Sequence, residues 1–109
     1  MSYPGMPQRV LIDGIPYEVI VEFKSDEYDD GTDGEFNVSF ATIKLRAGLA
    51  PGYAKVTLLH ECLHGLWEHR GFTAVGRPAA LEEEVVTGLS YGLFEMMRTN
   101  PELVEWLRS

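Results

Sequence analysis

The sequence contains a single cysteine, no long apolar run and few basic side chains. One cysteine in 109 residues excludes an internal disulfide and favours a reducing compartment. No segment approaches the roughly 18 apolar residues of a membrane span, and the N-terminus lacks the pattern of a secretory signal. Nine basic against seventeen acidic side chains give a net charge of -8, which disfavours nucleic-acid binding. We therefore expect a soluble, cytoplasmic protein without nucleic-acid or membrane partners.

The length of the chain suits one domain. A chain of 109 residues can bury about 60 to 70% of its unfolded surface, so it needs no disulfide to fold. No internal repeat or low-complexity tract divides it. We therefore treat residues 1–109 as a single domain.

The first half of the chain has the residue pattern of β-strands. Residues 10–12 and 17–23 are β-rich runs around an Asp-Gly turn signal, which predicts a hairpin. Residues 36–40 and 42–45 predict one long or two short further strands. Because helical patterns follow these strands, the fold class is α+β, with a small three- to four-stranded antiparallel sheet.

An acidic stretch, residues 25–35, separates the predicted strands. It contains four aspartates and two glycines, so a calcium loop and a solvated connection are the two alternatives. The order lacks both the Asp spacing of a calcium loop and the glutamate at its twelfth position. The sequence therefore favours the solvated connection.

The most informative pattern is H-E-x-x-H at His60, Glu61 and His64. Pro51 favours the start of a helix and Gly71 its end, so the motif is predicted to be helical. Residues four apart share a helix face, so His60 and His64 can offer two imidazoles to one tetrahedral Zn²⁺. Glu61 lies about 100° round the helix. From there it can reach a water on the metal without being a ligand.

Two further helices are predicted after the motif. The first runs from about residue 79 or 81 to 98, and a short one runs from about 101 to 107 after an asparagine cap. Apolar residues at three- and four-residue spacing predict the buried faces of the motif helix and of the helix that follows it. In the motif helix these residues are Val56, Leu59, Leu63 and Leu66; in the next they are Val85, Val86, Leu89, Leu93, Met96 and Met97.

A hydrolytic zinc site has three protein ligands and one open position, so the motif needs a third ligand. The metzincin extension requires glycine at 67 and histidine at 70, where this chain has Trp67 and Arg70. His69 is about 180° round the helix from His60, so it could reach the metal only if the helix broke after His64. The remaining source is the start of the next helix, which carries Glu82, Glu83 and Glu84.

With a glutamate on the second helix, the chain resembles the gluzincin-type zinc metallopeptidases, most closely the ImmA/IrrE-type and small phage- and prophage-encoded proteins. Their second helix carries E-x-x-A-x-x-F-A-x-x-L-L, which is matched here by Glu83, Val86, Leu89, Ser90, Leu93 and Phe94. The resemblance spans residues 57–106, and it implies Glu83 as the third ligand. Periodicity places Glu82 nearer the centre of the apolar stripe, so Glu82 and Glu84 stay open as alternatives. The family's Met-Pro after this helix is absent, which favours the smaller relatives.

The resemblance implies a zincin-like fold and a zinc metalloendopeptidase. Zn²⁺ would be held by His60, His64 and Glu83, and Glu61 would act as general base on a metal-bound water. The substrate, a peptide or protein, would lie along an edge strand, which we assign to residues 41–45. The side chains considered for stabilising the oxyanion are Tyr53, His69 and Tyr91.

Two alternatives to the peptidase remain. One is a zinc-binding phage or prophage protein that regulates or binds other proteins with little or no catalysis, and the other is a fold that binds no metal. Glu61 distinguishes the first alternative from the enzyme, because a purely structural zinc site has no use for a glutamate at that position.

Overall fold

The computed structural model describes residues 2–23 and 32–109. Four strands precede three helices, which confirms the predicted α+β order. The elements are β1 (Arg9–Ile12), β2 (Ile15–Glu22), β3 (Gly34–Asn37), β4 (Thr42–Arg46), α1 (Pro51–His69), α2 (Ala79–Thr99) and α3 (Pro101–Arg108). Residues 25–31, which form most of the acidic stretch weighed as a calcium loop, lie outside the described residues.

The predicted hairpin is formed by β1 and β2. Ile12 pairs with Ile15 across a two-residue turn. Asp13 and Gly14 have φ angles of 52° and 80°, and two positive φ angles define the type I′ turn that matches the twist of a hairpin. The turn fixes the register, so that alternate residues of β2 beginning with Tyr17 are at most 9% exposed.

The sheet is mixed, not antiparallel as predicted. Its strand order is β1-β2-β4-β3. β3 pairs with β4 in an antiparallel hairpin, and that hairpin docks so that β4 runs parallel to β2. Parallel pairing joins segments that are distant in the chain, so it has no local signal comparable to the Asp-Gly turn.

The strand order also corrects the assignment of the edge strand. β4 is paired on both sides, with β2 and with β3, so residues 41–45 do not form an edge. Among the described strands, β1 and β3 are each paired on one side only. Of these two edges, α1 contacts β3 more extensively than β1.

α1 packs against the sheet through small side chains. Its buried residues are Ala54, Val56, Thr57, Glu61 and Gly65. A Cβ added at Gly65 would lie only 2.8 Å from Ile12 Cδ1, so the helix approaches the sheet closely. Of the predicted stripe, Val56 is buried and Leu66 packs against the core as a half-buried residue, whereas Leu59 and Leu63 are only half-buried beside these small residues.

α2 packs on α1, and α3 packs on α2. On α2 only a narrow stripe is buried, at Val86 and Ser90. Leu89, Met96 and Met97 are 46 to 52% exposed, so the prediction that they face a core was wrong. None of the helices in the described part of the chain has both the length and the apolar character of a membrane span.

Candidate metal centre

His60, His64 and Glu83 meet between α1 and α2. The two Nε2 atoms are 3.1 Å apart. Glu83 Oε1 lies 3.1 Å from Nε2 of His60, and its Oε2 lies 3.2 Å from Nε2 of His64. One potential ligand atom from each residue falls within 4.8 Å of the others. These three side chains are therefore close enough to bind a metal ion.

A second glutamate contacts His64 through the other nitrogen of its ring. Glu82 Oε2 lies 2.5 Å from Nδ1 of His64, on the side of the ring opposite Glu83. Neighbouring helical residues diverge by about 100°, yet Glu82 and Glu83 reach the two nitrogens of one imidazole. Glu82 is thus a partner of His64 and not a rival of Glu83 for the same position.

The chemistry of these atoms suits a cation. A neutral imidazole that donates from Nδ1 has a lone pair on Nε2. At His64 the Nε2 atom faces both the second imidazole and the Glu83 carboxylate. Two imidazole nitrogens and a carboxylate therefore converge within hydrogen-bond distance of one another. A metal ion between these donor atoms would reduce the repulsion between their lone pairs.

The protonation state of His60 also suits metal binding. Burial lowers the pKa of its imidazole, and the neighbouring His64 lowers the pKa further, while Glu83 acts in the opposite direction. Metal ligation requires the neutral form of histidine. The lowered pKa therefore makes His60 available as a ligand at neutral pH.

Glu61 lies on the sheet side of α1 and is 6% exposed. It packs beneath β3, so closely that a Cβ added at Gly34 would lie 2.9 Å from Glu61 Oε2. Burial raises the pKa of Glu61 to about 7, and the nearby carboxylates of Glu83 and Glu35 raise it while His64 lowers it. A carboxyl with such a pKa can exchange a proton near neutral pH.

A cleft of about 390 Å³ connects these groups. It is lined by His60, His64 and Glu83, by Glu61, and by Asp33 and Gly34 where β3 begins. Tyr53 also lines it, and its hydroxyl donates a hydrogen bond of 2.7 Å to Asp33 Oδ2. Sequence reasoning did not place Asp33 and Gly34 in the site, because only the docking of β3 against α1 brings them there.

His69 lies apart from this cleft. α1 continues without a break to His69, so the break needed to turn it toward the metal is absent. Its Nε2 lies 2.6 Å from the Tyr17 hydroxyl, and its Nδ1 lies 3.4 Å from Asp13 Oδ2. His69 therefore joins the end of α1 to the β1–β2 hairpin and is not a ligand of the cluster.

Known proteins give no independent guide to this site. No protein-family profile, curated protein sequence or solved structure matches the chain. The resemblance to the gluzincins accordingly rests on the residues of α1 and α2 themselves.

Proposed function

We propose that this protein is a zinc-dependent metallopeptidase with a zincin-like fold. His60, His64 and Glu83 are the proposed zinc ligands, and Glu61 is the proposed general base. The observation that carries the proposal is the convergence of the three ligand groups within 4.8 Å in the cleft that Glu61 also lines.

Zinc is the metal that best suits this cluster. Two donors that lie 2.0–2.1 Å from a tetrahedral Zn²⁺ are about 3.3 Å apart, close to the 3.1 Å between the two Nε2 atoms. Two histidines and a glutamate also form a known catalytic zinc set with an open fourth position. When bound, the ion lowers the pKa of water to about 7 and polarises a carbonyl group.

Glu61 moves the protons in the proposed reaction. Its carboxylate accepts a proton from a water molecule in the cleft and later delivers that proton to the leaving amine. A general base works best when its pKa lies near the operating pH, and burial brings the pKa of Glu61 to about 7. Packing under β3 fixes the side chain in place for this role.

An extended peptide is the proposed substrate. The edge of β3 that no other described strand covers runs into the cleft at Gly34, so a peptide can add to that edge by backbone pairing. Among the side chains considered for the oxyanion, His69 is engaged with Tyr17 and Tyr53 donates to Asp33. We therefore assign the oxyanion contact to Tyr91, which also lines the cleft.

The test is the substitution Glu61→Gln, which preserves the size of the side chain and removes the base. Wild-type protein loaded with zinc is incubated with casein-like unstructured chains and with a peptide library, and products are identified by mass spectrometry. We expect the variant to retain zinc and to lose hydrolysis by about 10²- to 10⁴-fold, the range for general acid–base catalysis.

The opposite result is equally informative. Wild-type protein that carries zinc but cleaves nothing across the library, and whose Glu61→Gln variant behaves identically, contradicts the peptidase. That outcome favours the alternative of a zinc-binding module that regulates or binds other proteins.

A further inference from the structure

Glu82 contacts a proposed zinc ligand without entering the cleft. Its side chain is 23% exposed, whereas that of Glu83 is 59% exposed. The carboxylate reaches Nδ1 of His64 at 2.5 Å, the shortest contact in the cluster. Because a carboxylate only accepts hydrogen bonds, this contact requires a proton on Nδ1.

We propose that Glu82 is the positioning residue of the site: it holds the Nδ1 proton of His64 and so presents the Nε2 lone pair toward His60 and Glu83. A neutral imidazole in water exchanges its proton between the two nitrogens, and only one of these tautomers leaves Nε2 free. The hydrogen bond to Glu82 selects that tautomer and also fixes the rotation of the ring. Carboxylate partners of this kind increase the affinity of ligating histidines for metals.

A simpler explanation is that Glu82 contributes only negative charge. Acidic residues at the start of a helix interact favourably with its dipole, and Glu82 lies in the first turn of α2. Glu84 separates the two explanations. It is exposed and lies two residues further along α2, just beyond the first turn, so it carries the same charge near the helix end without the contact that Glu82 makes with His64.

The tautomer of His64 is the direct readout. Metal-free protein labelled with ¹⁵N is examined by NMR correlation of the imidazole nitrogens, at a pH where His64 is neutral. We expect the proton on Nδ1 in the wild type and in Glu84→Ala, and a shift of the population toward Nε2 in Glu82→Ala. Glu82→Gln keeps an oxygen that can accept the bond, so it should restore the wild-type tautomer.

The affinity for zinc is the second readout, and it rests on the zinc site proposed above. Competition with a chromophoric chelator should show binding weakened by about 10- to 100-fold in Glu82→Ala, the usual effect of losing an outer-shell partner. Glu82→Gln should lose less zinc affinity than Glu82→Ala, and Glu84→Ala should bind zinc as tightly as the wild type. Urea unfolding of the metal-free variants shows whether each one is folded.

Three outcomes overturn the inference. The first is a metal-free wild type whose His64 carries its proton on Nε2, whether or not the protein binds zinc. The second is a folded Glu82→Ala variant with wild-type zinc affinity. The third is an equal loss of affinity in Glu82→Ala and Glu84→Ala, which assigns the effect to charge alone. A wild type that shows the Nδ1 tautomer but binds no zinc contradicts the proposed function and leaves the role of Glu82 on His64 supported.

Discussion

The two faces of α1 are built differently. The face toward α2 carries His60 and His64, which are half-buried and contact Glu82 and Glu83 through polar atoms. The face toward the sheet carries buried Glu61 and Gly65 and approaches β3 and β1 closely.

This difference separates the positioning of the proposed base, Glu61, from the arrangement of the proposed metal ligands. Glu61 is buried against β3, so we expect its position to be the same with and without an ion. The face toward α2 gathers two imidazoles and a carboxylate whose nearest polar atoms are 3.1 to 3.2 Å apart. We therefore expect the sheet face to determine the stability of the metal-free fold and the α2 face to determine metal affinity.

The largest expected effect is the loss of zinc in His60→Ala or His64→Ala. Removing a direct ligand should weaken zinc binding by more than the roughly 100-fold upper range for an outer-shell partner. The metal-free unfolding midpoint should change little, because both side chains lie on the polar face. Chelator competition and urea unfolding measure the two quantities.

His69→Ala is the matched control on the same helix. Removing the His69 imidazole leaves the buried Tyr17 hydroxyl without its hydrogen-bond partner. The free energy of unfolding should fall by about 1–3 kcal/mol. Zinc affinity should stay at the wild-type value. A loss of zinc in His69→Ala comparable to that in His60→Ala contradicts the division between the two faces.

The next effect is a pH dependence that comes from Glu61. Burial raises the pKa of this carboxyl from 4.5 to about 7 in the folded chain, so folding favours its protonated form. The contribution of Glu61 to the free energy of unfolding is therefore fully present below pH 4.5, and it is lost as the pH rises through 7. The difference in pKa corresponds to on the order of 3 kcal/mol.

In Glu61→Gln the stability should not fall as the pH rises through 7, because glutamine is neutral at every pH. In metal-free protein at pH 8 the variant should be more stable than the wild type by up to about 3 kcal/mol, and the difference should disappear near pH 4. Urea unfolding of both proteins from pH 4 to 8 measures it. Parallel stability curves would show that Glu61 is not buried against the sheet.

The elements that the sequence predicts well are those with local signals. Pro51 and Gly71 marked the ends of α1 to within two residues, since proline and glycine act through the backbone of their own segment. The Asp-Gly pair likewise predicted the β1–β2 turn. The spacing of His60, Glu61 and His64 predicted their division between two faces, because it depends only on the period of the helix.

The features that the sequence did not predict depend on contacts between distant segments. The parallel pairing of β2 with β4 requires the β3–β4 hairpin to dock, and no residue pattern within β4 marks this. The buried face of α1 was assigned to leucines because it was sought by hydrophobicity, whereas close approach to the sheet selected Gly65 and its small neighbours. Periodicity did place Glu82 near the centre of its helix face, but only the fold shows that it contacts His64.

The smallest expected effect tests how tightly the sheet face is packed. A Cβ at Gly65 would lie 2.8 Å from Ile12 Cδ1 and 2.9 Å from Phe36 Cε2. Overpacking of this kind costs about 1–3 kcal/mol, while alanine gains up to about 1 kcal/mol in helix propensity over glycine. We therefore expect Gly65→Ala to destabilise the protein by about 1 kcal/mol on balance. Urea unfolding of the metal-free protein measures it.

Gly88→Ala is the control, because a Cβ at Gly88 on α2 meets nothing within 4 Å. This variant gains helix propensity without a clash, so it should stabilise the protein by about 0.5–1 kcal/mol. The two substitutions should thus have opposite signs although both replace glycine by alanine inside a helix. If Gly65→Ala stabilises the protein as much as Gly88→Ala does, α1 is not packed tightly against the sheet, and the account of how Glu61 is held in place is wrong.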